Sequence, residues 1–150
     1  MYNDTITLFC RKPGGRGQGD LWIPTIIRNV NLNNDRASIM AKHGAQSQDR
    51  AALSIRYVKE NDGIYVPCGA SKKKLWMPPM KWAGAEDTIT FKSGTDFDFF
   101  WQGEWDRGTV SDVDYDGGFF NYMNRTCDDC FAITAVARYS VIAHFEIMGR

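Results

Sequence analysis

Only two histidines, His43 and His144, stand in this 150-residue chain. Histidine is the side chain that titrates near neutrality, so an acid–base enzyme is hard to assemble from so few. No Gly-x-Ser-x-Gly elbow is present to strain a nucleophile into reach. Net charge is absent too: 18 Lys and Arg balance 18 Asp and Glu, which argues against a general nucleic-acid binder. No apolar run approaches the ~20 residues of a membrane span. The opening Met1-Tyr-Asn-Asp is polar and acidic and lacks the basic start of a secretory signal. The expectation is a protein of the cytoplasm, with no membrane partner and with Cys10, Cys68, Cys127 and Cys130 as reduced thiols. No repeat, linker or low-complexity segment divides the chain, so residues 1–150 read as one domain.

What is present is a β-rich pattern. Asp4 to Cys10 is β-branched and aromatic, with Ile6, Leu8 and Cys10 on one face of a strand. Lys12 to Gly19 is glycine-rich and basic and reads as a hairpin tip. A second strand runs from Asp20 to Leu32, with Pro24 marking an edge or bulge. A short helix follows, capped near Asn34 and ended at Gly44. Strands are expected at Ala51–Val58, Ile64–Val66, Asp87–Lys92 and Asp96–Trp105. A second helix is expected over Gly118–Thr126, with Phe119, Tyr122 and Met123 as its apolar stripe. The chain closes on a hairpin that turns at Arg138–Ser140, whose last strand puts Val141, Ala143, Phe145 and Ile147 on one apolar face. The fold class is therefore mainly β: a small antiparallel β-barrel or sandwich with two short helices and long loops.

Several clusters bear on chemistry. Asp112, Asp114 and Asp116 with Gly117 match the opening of a calcium loop, but the twelfth position is Met123 in place of a bidentate glutamate. The competing reading is an acidic turn that caps the following helix. Cys127 and Cys130 form a CxxC pair without a second pair for zinc or a βαβ setting for redox work. Lys72–Lys74 with Trp76 and Trp82 offers a basic, aromatic loop, which suits single-stranded nucleic acid or, more simply, a solvated arm packing on a neighbour. His144 and Glu146 share a strand face as a conceivable acid–base pair. Phe97, Phe99, Phe100, Trp101 and Trp105 form a sugar-stacking platform only if they stay out of the core. No catalytic set, no metal site and no cofactor is expected. Charge is uneven along the chain: residues 1–82 carry 13 basic and 6 acidic side chains, and residues 83–150 carry 5 and 12. Opposite patches of this kind suit head-to-tail contacts between identical subunits.

Three stretches together resemble the head-completion (stopper) proteins of long-tailed bacteriophages and uncharacterised phage proteins of the head–tail junction. They are the opening strand Asp4–Leu8, the strand ending Val30-Asn-Leu32 before a polar helix, and the closing strand with His144-Phe-Glu-Ile147. The resemblance implies a structural protein of the virion neck, assembled in the host cytoplasm as a ring of six or twelve copies. Its partners would be its own copies, the portal and adaptor above, and the tail terminator or tail tube below. Packaged DNA would lie in the channel without sequence specificity. A tail terminator or other minor neck or capsid protein is the near alternative. A calcium-dependent carbohydrate-binding β-sandwich is the alternative of another class, and a small hydrolase using His144 ranks below it. The inserts at Pro67–Gly84 and Gly103–Gly118 depart from short members of that family and leave its channel-gating loop unassigned.

Overall fold

β-Branched and aromatic residues hold the opening of the chain extended. The computed structural model describes residues 2–69 and 71–150, and in it strand β1 spans Asp4–Lys12. The glycine-rich tip turns the chain back into β2, Leu21–Asn33, which pairs with β1 from Lys12↔Leu21 to Asp4↔Val30. Helix α1 (Arg36–His43) follows, capped by Asp35, whose side chain accepts from the Ala37 amide, and ended by Gly44 at φ 94°. The remaining strands are β3 (Ala51–Arg56), β4 (Val58–Glu60), β5 (Gly63–Pro67), β6 (Lys73–Trp76), β7 (Thr88–Ile89), β8 (Phe99–Trp101), β9 (Val110–Ser111), β10 (Cys130–Tyr139) and β11 (His144–Gly149). Helix α2 spans Phe119–Thr126.

Six strands close on themselves in the order β1-β8-β10-β11-β3-β2, and the β1–β2 pairing completes an antiparallel barrel. Of the two expected layouts, the barrel is the one formed. Ile6, Leu8, Leu53, Phe100, Phe131 and Ile147 fill its interior. The strand period of two sends Phe9, Trp22, Phe99 and Cys130 to the other side of the wall, where α2 covers them with Phe119 and Met123. β1 is consequently buried on both faces from Ile6 to Cys10. A second sheet, β4-β5-β6-β7, packs on the barrel around Phe145, which touches Tyr57, Trp76 and Phe91 at ring-centroid distances of 5.1, 5.2 and 4.9 Å.

Asp98 is a polar pin within this packing. It is fully buried, and its carboxylate accepts from the Arg11 amide at 2.8 Å and the Lys92 amide at 2.9 Å. The Lys92 ammonium lies 3.2 Å away. Burial raises the Asp98 carboxyl to about 6, against the lowering pull of Lys92 and the two amides.

Local differences from the sequence expectation have physical causes. The strand expected over Ala51–Val58 breaks at the buried Tyr57, where the chain crosses from the barrel to the second sheet. The irregular stretch from Pro67 holds strand β6, which gains its partners from β5 and β7 rather than from its own propensity. The terminal turn falls at residues 140–143, so Val141 lies outside the core at 99% exposure, while Phe145 and Ile147 are wholly buried.

Candidate functional site: an apolar arm and an edge groove

β10 pairs with β11 from Ile133 to Tyr139 and with β8 only over Cys130–Ala132. From Ala135 onward no described strand lies along its other edge, and Ala135 to Tyr139 are exposed. β11 stays paired with β3 as far as His144↔Arg56, so the hairpin is part of the barrel wall, and its apolar arm is the unpaired edge of β10 with the exposed turn at residues 140–143. Val136, Tyr139, Val141 and Ile142 are 37, 47, 99 and 76% exposed, half of the large exposed hydrophobics among the described residues. Scattered surface apolar residues need no explanation, but a cluster beside an open strand edge marks a contact surface. Sequence reasoning missed this arm because it placed the turn early and so folded Val141 inward.

A second open edge lies on β2. That strand has β9 beside Leu21 and Trp22 and β3 beside Asn31–Asn33, which leaves Ile23–Val30 with β1 on one side only. Pro24 sits in this gap, as a residue without an amide donor requires. Asn29, at φ 59°, forms the bulge that shifts the β1 register. Beside the edge runs a groove of about 870 Å³ with apolar walls at Pro24, Ile26, Cys68 and Trp105. Its cations are mostly engaged: Arg28 pairs with Glu104, Lys73 with Glu60, and Lys74 donates to the Thr25 hydroxyl at 2.7 Å. Trp76 packs on Phe145, and Trp82 lies under the Lys92 ammonium at 4.1 Å. Lys73 and Lys74 are thus tied to neighbouring side chains, while Lys72 is exposed, so the run does not present three free cations beside open aromatic faces.

The structure does not gather the acidic loop into a metal centre. Among the described residues, no group of three or more His, Cys, Asp or Glu side chains is placed to hold a metal. Asp112 accepts from the Trp22 indole at 2.6 Å and from the Phe119 amide at 2.9 Å. It caps α2 in place of Gly118, which has no side chain and sits at φ 95°. Asp114 and Asp116 are exposed. Cys127 and Cys130 are free thiols, and burial pushes Cys130 up to about 12, followed by the neighbouring Cys127. A thiol so raised is a poor nucleophile or ligand at neutral pH. Glu146 pairs with Lys42 at 2.9 Å, while the His144 ring stacks on Tyr139 and its Nδ1 lies 2.6 Å from the Ile142 carbonyl. The two do not form an acid–base pair. Phe99 and Phe100 are fully buried and Trp105 is 6% exposed, while Phe97 and Trp101 are half-buried and packed against that cluster, so the five do not share one open platform for a sugar. Two of the five ion pairs among the described residues, Arg28–Glu104 and Lys42–Glu146, join the basic part of the chain to the acidic part within one molecule. The charge split is partly satisfied internally.

No helix among the described residues is long and apolar enough to cross a membrane. No curated protein and no solved structure matches this chain. A family model does match, over residues 1–150, and the chain belongs to that family, described as a family of unknown function (DUF6751).

Proposed function

We propose that this protein is a non-enzymatic structural subunit of a bacteriophage head–tail connector, and specifically of the head-closure ring between portal–adaptor and tail. The observation that carries the reading is the exposed apolar arm, Val136 to Ile142, beside an unpaired strand edge. Such a surface is a liability in a free monomer and suits permanent contact in an assembly. The three stretches that resemble stopper proteins supply the connector context. On this reading the partners are further copies of the chain in a ring of six or twelve, the portal and adaptor, the tail terminator or tail tube, and DNA held in the channel without base readout. A tail terminator or other minor neck or capsid protein would use the same surfaces.

The test is co-purification with the portal and tail proteins encoded beside it. The reading expects a ring bound to the portal complex, seen by negative stain. A chain that binds neither portal nor tail proteins, while remaining folded by thermal melt, contradicts it.

A further inference from the structure

Two arginines meet where the β11–β3 pairing ends at Gly149↔Ala51. Backbone ties place them there: the Arg50 amide donates to the Gly149 carbonyl at 2.7 Å, and Arg150 exchanges two backbone hydrogen bonds with Ala132, each 2.9 Å. Both line a groove of about 870 Å³ that runs beside Ala132–Thr134 of β10. Its apolar wall includes Phe97 and Phe120, half-buried rings in edge-to-face contact at 4.9 Å. Neither arginine takes part in an ion pair among the described residues, and no acidic side chain among them lines the groove. Arg50 is held without being neutralised: its Nη2 donates to the Cys130 carbonyl at 3.3 Å, and its guanidinium lies 4.9 Å from the Phe131 ring centroid. A guanidinium has five N–H donors, so most of that fork stays open. Asp49 reaches a lining residue, accepting from the Thr134 hydroxyl at 2.8 Å. Arg36 donates to the Asp49 carbonyl at 2.6 Å, which brings a third cation to the same place.

We propose that this groove binds a phosphate monoester with a flat apolar body, its phosphate on Arg50 and Arg150 and its body against Phe97 and Phe120. Guanidinium forks match phosphate oxygens in paired hydrogen bonds, and two unpaired cations suit a dianion. Aromatic walls favour planar groups, stacked or edge-on. A small number of charged groups set in an apolar wall is the usual make-up of a small-molecule site. The groove ends at Thr134, before the open edge of β10 begins at Ala135, so its occupancy and self-association are separately measurable.

The experiment titrates phenyl phosphate, inorganic phosphate and phenol into the full-length protein by calorimetry, with thermal melts as the folding control. Phenyl phosphate is expected to bind at one site with a Kd below about 1 mM, inorganic phosphate about tenfold more weakly, and phenol not at all up to about 10 mM. Arg50→Gln and Arg150→Gln should each weaken phenyl phosphate by about tenfold. Phe120→Leu keeps the wall apolar and should weaken phenyl phosphate about threefold while leaving inorganic phosphate unchanged. Arg16→Gln, on the exposed glycine-rich tip, should change nothing. No saturable binding of phenyl phosphate by about 10 mM would overturn the proposal. So would phenol or inorganic phosphate binding as tightly as phenyl phosphate, or an Arg16→Gln loss equal to the groove variants, which is diffuse ionic attraction. Full affinity in a normally melting Arg150→Gln protein also overturns it. That variant decides the matter if Arg50→Gln melts early, since Arg150 is tied to the fold through its backbone.

Discussion

β1 and the outer half of β10 are both apolar in sequence, yet they have opposite fates. Ile6 to Cys10 is buried on both faces, one against the barrel interior and one against α2. Ala135 to Tyr139 is exposed throughout and unpaired along one edge. The monomer's own packing accounts fully for β1 and leaves β10 unexplained. Apolar composition reports that a surface will be covered, not that its own chain will cover it.

The largest effect should come from breaking the doubly buried wall. Phe99 stacks on Phe9 at 4.7 Å and meets Trp22 edge-on at 4.9 Å. Phe99→Ala should cost about 3–5 kcal/mol by denaturant unfolding. A loss under about 1 kcal/mol would mean that the two clusters do not share this wall.

Asp98 sharpens the same contrast through pH. Its carboxyl is raised from 3.8 to about 6 by burial, so the folded protein holds a proton that the unfolded chain gives up. The associated stability is complete below the unfolded value and is lost as pH rises through the folded one, a span worth about 3 kcal/mol. Asp98→Asn should flatten that part of the stability profile. A variant with an unchanged profile would show that another group carries it.

Asp112 stands at an intermediate depth. Asp112→Ala leaves the Trp22 indole and the Phe119 amide without their acceptor and should cost about 1–3 kcal/mol. Millimolar calcium should leave the wild-type melting temperature unchanged. A calcium-dependent rise would restore the metal reading of this loop.

The smallest effect on stability belongs to the arm. Val141→Ser combined with Ile142→Ser should alter unfolding by no more than about 0.5 kcal/mol, since both side chains lie in solvent. The same pair should abolish self-association in a sizing measurement. Unfolding at much lower denaturant would place these residues in the core instead.

The opening hairpin was readable because β-branched residues, a period of two and a glycine-rich tip all agree between Asp4 and Asn33. The first helix was readable from its stop at Gly44, although Asp35 and not the expected Asn34 caps its start, and the second from the stripe of Phe119 and Met123. β6 was not readable, since Lys73–Trp76 is four residues long and owes its form to two neighbouring strands. The turn at residues 140–143 was misplaced because Tyr139, Val141, Ala143 and Phe145 keep a period of two, and only Ile142 interrupts it, so the pattern gives little mark of where pairing ends. Asp98 did leave a mark, a lone carboxylate between Phe97 and Phe99. The open edges left none, because an edge is a property of neighbours that one strand's residues do not encode.

Amide hydrogen exchange on wild-type protein, below and above its assembly concentration, tests the central claim most directly. Assembly through the apolar edge predicts that Ala135–Tyr139 gains protection on association, while Ile6–Cys10 is equally protected in both states. Assembly that leaves Ala135–Tyr139 exchanging as fast as in the monomer contradicts it.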